Sequence, residues 1–224
     1  MNKLHVAIIM DGNRRYAKRK HLPQGEGHKK GAETVKRIIQ WAQELSIGQL
    51  TLYSFSLDNF KRTRKEVMLL MELFRKKMEE LKNAKNVEEK KIRVRFIGRT
   101  ERFPKDIREA MKKLVEKTKR NKELTINFAM GYSGRTEIVD AVNELLQRKP
   151  RKITEKDISK HLYMSEEPDL IIRTGGEQRI SDFLIWQGTY SEFVFTKKLW
   201  PEFTKKDLMR CLAEFKERER RFGV

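Results

Sequence analysis

Residues 4–10 read LHVAIIM, a short and nearly continuous apolar run that ends at Asp11-Gly12-Asn13-Arg14-Arg15. A strand of that pattern has no polar face to give to water, so it belongs inside a parallel sheet with helices on both sides. Further strand-like stretches lie at 50–55 (LTLYSF), 92–97 (IRVRFI), 124–130 (LTINFAM), 169–173 (DLIIR) and 193–195. Longer amphipathic stretches alternate with them. The helix predicted over 28–45 aligns Val35, Ile38, Ile39, Ala42 and Leu45 on one stripe, and that over 65–82 carries a broad apolar face that includes Leu70, Phe74 and Met78. Helices are also predicted from Pro104, over 133–146 with Ser133 as cap, over 180–187 and over 204–220. This β-α alternation predicts an α/β fold: one domain over 1–224, a mostly parallel sheet and helices on both faces.

The length of 224 residues is enough to bury a core without staples. Cys211 is the only cysteine, which excludes a disulfide framework and a multi-thiolate zinc site. No apolar run approaches the roughly 18 residues of a membrane span, and the first five residues lack a signal-peptide core. A soluble, cytoplasmic protein is expected. Lys plus Arg number 51 against 32 Asp plus Glu, a net charge of +19 that predicts anionic partners: nucleic acid, phosphorylated small molecules or an anionic membrane. The acids are mostly Glu, with eight Asp, and Lys-Glu richness is a thermophile-like signature.

In open α/β sheets ligands bind beyond the carboxyl ends of the strands. Asp11 stands at the first such end beside Arg14 and Arg15, which suits either a Mg²⁺ held by one carboxylate plus substrate phosphates or a simple helix cap. Gly12 permits close backbone approach, and Asn13 tolerates tight turns. The glycine-rich run 25–31 lacks the preceding strand of a dinucleotide loop; it reads better as a turn feeding a helix N-terminus, with His28 beside an anion there. The second strand runs into Ser54, Ser56, Asn59 and Arg62. The fifth runs into Arg173-Thr174-Gly175-Gly176, then Arg179 and Ser181, where two guanidinium forks flank a Gly-Gly turn and Ser181 begins a helix. Glu192, in an aromatic stretch, is expected to be ion-paired or a metal ligand. Together these strand ends describe a cleft for two pyrophosphates and a Mg²⁺ ion.

The motifs HVAIIMDGNRRYAK (5–18), GHKKGAE (27–33), LTLYSFSLDNFKR (50–62) with EV at 66–67, GYSGRTEIVDA (131–141) and DLIIRTGGEQRISDFLIWQ (169–187) resemble the cis-prenyltransferases, the undecaprenyl or polyprenyl diphosphate synthases. YSEFVF (190–195), LWPEF (199–203) and ERRFG (219–223) extend the resemblance over nearly the whole chain, in order. It implies a six-stranded sheet surrounded by helices, an apolar product tunnel and a homodimer. It also implies condensation of isopentenyl diphosphate onto an allylic diphosphate, farnesyl or geranylgeranyl, to make a polyprenyl carrier precursor. By position, Asp11 shares Mg²⁺ with the allylic diphosphate, which Gly12, Asn13, Arg14, Arg15, Tyr16 and His28 surround. Ser56, Leu57, Asp58, Asn59, Phe60 and Arg62 line the junction of the substrates, with Asn59 aiding proton removal or alignment. Arg173, Arg179, Ile180 and Ser181 bind the homoallylic diphosphate. Glu192 completes the metal site, from the dimer partner's side in one arrangement, and Arg221-Phe222-Gly223 resembles a tail that reaches the neighbouring subunit.

Gln24 stands where many members have Arg, Gln178 replaces a common His, Thr63 a common Pro and Phe60 a common Trp, which puts the starter preference in doubt. Ser54, Leu70, Phe74, Leu124 and Met130 are the expected tunnel walls, or plain core. Two other readings compete: a non-enzymatic basic nucleic-acid-binding α/β protein, and a catalytically silent partner subunit. The first lacks a basic-aromatic motif, so no nucleic-acid partner is expected; the second is at odds with Asp11, Asn59 and Arg62. The excess charge also allows peripheral contact with an anionic membrane.

Overall fold

The computed structural model describes residues 3–83 and 91–218, with the side chains of 81–83 left aside. Six strands form one sheet: β1 (His5–Ile9), β2 (Gln49–Ser56), β3 (Ile92–Ile97), β4 (Leu124–Tyr132), β5 (Leu170–Arg173) and β6 (Glu192–Phe195). Their order is β3-β4-β2-β1-β5-β6, and every pairing is parallel rather than mostly so. Seven α-helices accompany them among the described residues: α1 (Asn13–Arg19), α2 (Gln24–Glu44), α3 (Arg64–Asn83), α4 (Lys105–Thr118), α5 (Gly134–Gln147), α6 (Glu155–His161) and α7 (Lys205–Glu217).

β1 is buried along its whole length, as its apolar run requires. Its alternate residues feed two cores. Val6 and Ile8 face a large cluster with Ile38 and Ala42 of α2, Leu70 and Met71 of α3, and Leu208 of α7. Ala7 and Ile9 face a smaller one with Tyr132, Met164, Phe183 and Leu184. Ser133 caps α5 as expected, its hydroxyl accepting from the Thr136 amide.

Two local expectations are corrected. The glycine-rich run 25–31 is no turn: α2 already begins at Gln24. Its glycines serve close approach, because a Cβ on Gly27 would lie 2.1 Å from the Asn13 carbonyl oxygen of α1. The predicted helix over 180–187 is a series of turns, with Ser181, Asp182 and Leu184 all at positive φ. Side-chain bonding overrides the helical pattern there. The Asp182 carboxylate accepts from the Ser133 hydroxyl at 2.5 Å and the Arg135 amide at 3.0 Å, which ties the stretch to the start of α5. α1 and α6 are too short to show a periodic stripe in the sequence.

One polar group is deeply buried at the start of β1. The His5 ring nitrogen Nε2 lies 2.8 Å from the Thr51 hydroxyl, which also accepts from Asn127 Nδ2 at 2.9 Å. Burial pushes the imidazole down to about 4, against smaller raising effects from the Glu167 backbone and the Asp169 and Glu166 carboxylates. The native ring is therefore neutral where an unfolded chain would take up a proton. Stability is fully present above the unfolded value of 6.5 and is lost as pH falls toward about 4. The expected loss from His5 alone is about 3 kcal/mol. Denaturant titrations from pH 7 to 4 should show this slope, and His5→Gln should reduce it.

Candidate active site

The carboxyl ends of β1, β2 and β5 open on one side of the sheet, and α1 crosses between them. Gly12 (φ 114) caps α1, so Asn13, Arg14, Arg15 and Tyr16 occupy its first turn. Two clusters of charge meet there.

The first is built on Asp11. One carboxylate oxygen takes Arg15 Nη2 at 3.0 Å and the other takes Arg173 Nη2 at 3.0 Å. Burial raises the Asp11 pKa, but hydrogen bonds from Arg173 and Arg15 outweigh it and hold the carboxyl below its ordinary value. Arg173 is only 5% exposed. Its Nη1 donates to the Ser181 hydroxyl at 2.8 Å and to the Arg179 carbonyl, which fixes the segment after β5 beside β1. Arg15 also donates to the Gly175 carbonyl at 2.5 Å and approaches Glu177 at 3.5 Å. Gly175 sits at φ +90, so conformation favours glycine there, and a Cβ would meet the Arg15 guanidinium at 2.5 Å and displace it. Arg179, largely exposed, pairs with Glu177 at 2.6 Å. Ile180 is half-buried next to it.

The second cluster centres on Glu66 of α3, which is 8% exposed. It pairs with Arg62 at 2.8 Å, and Arg14 and the His28 Nε2 lie at 3.9 and 3.8 Å. Burial drives the His28 imidazole down to about 4; Arg62 and Arg14 add to this and Glu66 opposes it. His28 is thus neutral near pH 7. Its Nε2 is buried with no hydrogen-bond partner, as are Asn13 Oδ1 and Arg173 Nε. Buried orphans of this kind are costly, and His28 and Asn13 both line the same cavity, which points to a polar ligand at its mouth.

The Ser56–Arg62 segment is a short 3₁₀ turn held by a capping box: the Ser56 amide donates to Asn59 Oδ1 at 3.1 Å, and the Ser56 side chain accepts in return. The Asn59 oxygen is therefore partly committed to the local backbone. Phe60 packs on Phe55 and Phe103, with Arg102 over its ring. Leu57 is half-buried. Asp58 points to solvent and pairs with Lys61. Gln24, the first residue of α2, lines a surface cleft with His28 and Glu66.

Beyond His28 and Asn13 lies a cavity of about 440 Å³ between α2, α3 and the sheet, lined by Val35, Ile39, Leu70, Phe74, Ile92 and Met130 among others. Of the expected walls, Ser54, Leu70, Phe74 and Met130 line it. Leu124 does not: it is buried in the core, and its register partner Ile92 on β3 reaches the cavity instead.

Glu192 is not brought to Asp11 within the chain. It opens β6 opposite Leu170, at the amino end of the β5–β6 pair, and its carboxylate takes Arg218 at 3.1 Å. The tail 221–223 lies outside the described residues. Among the described residues no group of three or more His, Cys, Asp or Glu could hold a metal. A divalent cation at this opening would rest on Asp11 together with ligand phosphate oxygens, the usual habit of Mg²⁺. Glu66 was missed as a site residue; the only trace of it in the sequence was its place in the EV pair after the second strand.

Residues 9–223 match the family model described as "Putative undecaprenyl diphosphate synthase". An isoprenyl transferase of Thermotoga maritima is 44% identical, over 98% of this chain and 96% of its own. A tritrans,polycis-undecaprenyl-diphosphate synthase (geranylgeranyl-diphosphate specific) of Pyrococcus abyssi is 45% identical over 98% and 86%. Among solved structures, lavandulyl diphosphate synthase from Lavandula x intermedia, in complex with dimethylallyl diphosphate, matches with a TM-score of 0.93 and 35% identity, covering 98% of each chain. A probable undecaprenyl diphosphate synthase of Campylobacter jejuni matches at 0.85 and 33%, covering 100% of each. Neither the nucleic-acid reading nor that of a silent partner subunit is supported by these relatives. With sequence matched end to end and the fold shared, the chain belongs to the undecaprenyl diphosphate synthase family of prenyltransferases.

Proposed function

We propose that this chain is a Mg²⁺-dependent cis-polyprenyl diphosphate synthase that adds isopentenyl units to an allylic diphosphate. The observation that carries the reading is the adjacency of two features: the Asp11–Arg15–Arg173 bridge, and an apolar cavity lined by Met10 and Asn13, which flank Asp11 and Gly12 in the chain, and by His28. One end suits diphosphates and the other suits hydrocarbon.

Five arginines (Arg14, Arg15, Arg62, Arg173 and Arg179) face three carboxylates (Asp11, Glu66 and Glu177), an imbalance that an anionic ligand corrects. The allylic diphosphate is assigned to Asp11, Gly12–Tyr16 and His28, and the homoallylic one to Arg173, Arg179 and Ser181. Breaking the allylic C–O bond leaves its electron pair on the departing diphosphate, and the guanidinium donors stabilise that charge. Mg²⁺, when bound, supplies further Lewis-acid stabilisation of the leaving oxygens. The isopentenyl double bond then attacks the allylic carbon, so holding the two substrates in register is the main task of Ser56, Asn59 and Arg62. A proton is finally lost from the isopentenyl part. A primary amide is a weak base, and the departed diphosphate is the acceptor we assign, with Asn59 orienting.

The Pyrococcus relative's printed specificity supports geranylgeranyl diphosphate as a starter, and the Lavandula complex supports an allylic diphosphate in this fold. A homodimer belongs to the same proposal: Glu192 has no in-chain path to Asp11, so it would serve a metal only across a subunit boundary. Exposed Val139, Leu146, Tyr190 and Phe195 are available for such contact. No helix among the described residues is long and apolar enough to cross a membrane, so delivery of a long product calls for peripheral contact, which the positive charge favours.

Radiolabelled isopentenyl diphosphate should be incorporated with farnesyl or geranylgeranyl diphosphate. Incorporation should vanish with EDTA, return with Mg²⁺, and fall at least about a hundredfold in Asp11→Ala. Met130→Ala should lengthen the products on reversed-phase plates by opening the cavity wall. Leu124→Ala should leave product length alone and instead cost about 2–5 kcal/mol of stability. Light scattering should give the mass of a dimer, and sedimentation should show binding to anionic vesicles at low salt only.

A further inference from the structure

The segment after β5 carries residues of the proposed homoallylic site, yet it has no regular structure of its own to hold them. Ser181, Asp182 and Leu184 stand at φ 49, 63 and 47, a left-handed conformation that non-glycine residues seldom adopt. Such residues gathered in one short segment persist only where the surroundings determine the backbone more strongly than its own preference. Those surroundings act on neighbouring residues from two sides. Ser181 is held by the strand ends: its hydroxyl accepts from Arg173 Nη1 at 2.8 Å, and its carbonyl accepts from the Tyr53 hydroxyl at 3.3 Å. Phe183, fully buried, stacks on the Tyr53 ring at 4.5 Å. Asp182 is held by α5 instead. Its carbonyl accepts from the Gly134 amide at 2.8 Å, and its carboxylate accepts from the Arg135 amide at 3.0 Å and the Ser133 hydroxyl at 2.5 Å.

The first amides of a helix have no partner within it, and its amino end favours negative charge. In α5, Ser133 satisfies the Thr136 amide, and Asp182 satisfies those of Gly134 and Arg135. One residue from outside the helix thus completes its cap and is fixed by it. The fit leaves little slack: a Cβ on Gly134 would meet the Ile185 side chain at 2.8 Å and the Asp182 carbonyl at 3.0 Å. Without the carboxylate, the Arg135 amide turns to water and residue 182 keeps only its backbone bond to α5. The left-handed turn then relaxes, and it carries away the Ser181 hydroxyl and the Arg179 carbonyl, the two acceptors that orient Arg173. We propose that Asp182 is a positioning residue for the homoallylic diphosphate, acting through Ser181 and Arg173 rather than on the substrate. The inference rests on the proposed assignment of Arg173, Arg179 and Ser181 to isopentenyl diphosphate. Gly12–Tyr16 and His28, assigned to the allylic diphosphate, belong to α1 with its cap and to α2, so the effect is selective for one substrate.

Asp182→Ala is compared with two controls. Asp182→Asn can still accept from the Arg135 amide and bond the Ser133 hydroxyl, and Ala141→Gly weakens α5 while leaving its cap alone. Initial rates are measured on the full chain with Mg²⁺, varying isopentenyl diphosphate at saturating geranylgeranyl diphosphate and then the reverse. Asp182→Ala should raise KM for isopentenyl diphosphate at least about tenfold and change that for geranylgeranyl diphosphate by less than about twofold. Asp182→Asn should stay near the parent in both, as should Ala141→Gly despite a lower melting temperature. Equilibrium dialysis of labelled isopentenyl diphosphate, with Mg²⁺ and no allylic substrate, reads the same site without turnover and should show the same loss. An unchanged KM and affinity in a folded Asp182→Ala would overturn the inference. So would an equal rise for both substrates, or either control as impaired as Asp182→Ala. Ser133→Ala removes one of the two carboxylate partners; it should give a smaller rise of the same selectivity, and it carries the test if Asp182→Ala does not fold. If the parent binds isopentenyl diphosphate but adds none of it, the synthase reading falls and the dialysis still decides the role of Asp182.

Discussion

A buried guanidinium holds this structure's working end together. Arg173 closes β5, where the sheet order places it against Ile9 of β1, two residues before Asp11. A charge so far out of water requires a partner, and removing one member of such a pair typically costs about 3–5 kcal/mol. Asp11 supplies the partner. The remaining donors of Arg173 then dictate where the Arg179 carbonyl and the Ser181 hydroxyl must lie. One side chain therefore joins β1, β5 and the segment that follows, and the positive φ values at Ser181 and Asp182 are a consequence of where that segment is held. The same interaction keeps Asp11 ionised, as a cation bound there would require.

The second cluster behaves differently. Glu66 is the counter-ion for Arg62 and a weaker one for Arg14; its pull toward protonating His28 is outweighed by burial and by the Arg62 and Arg14 charges, so the ring stays neutral. A neutral imidazole with an unpartnered Nε2 can donate or accept, according to its tautomer. A diphosphate drawn to Arg62 and Arg14 would reverse the sign of the local field and favour protonation of the ring. Proton affinity at His28 would thus follow the net charge beside Arg62, Arg14 and Glu66.

Much of this could be read from the chain. The apolar run of β1 demanded burial on both faces, and Val6 and Ile8 against Ala7 and Ile9 show that demand met by two cores. The strand-end motifs were legible because a parallel sheet gathers such ends on one side. What could not be read were partners far apart in sequence and patterns overridden by side-chain bonding. The sequence places Glu66 at the start of a helix; only the packing of α3 on α2 reveals that it meets His28 and Arg14. Residues 180–187 carry a helix-like pattern, and the Asp182 carboxylate, bonded to Ser133 and Arg135, defeats it. Gly27 and Gly31 look like turn residues until Asn13 is seen pressed against them. Leu124 and Ile92 occupy one register position on adjacent strands, and nothing in the sequence says which of them meets the cavity.

The helices that wall the cavity meet through side chains at two levels. α2 and α3 each bear a residue of the second cluster near their first turns, His28 and Glu66, and an ion-paired residue further along, Lys36 and Glu80. The rise of a helix fixes those separations, at about 12 Å along α2 and about 21 Å along α3. The apolar residues that line the cavity between these levels can be exchanged for others of similar volume at a modest cost in packing. The large positive charge of the chain is accordingly of two kinds: a few arginines paired with Asp11 and Glu66 at the strand ends, and a surplus on the surface that acts only through its sum.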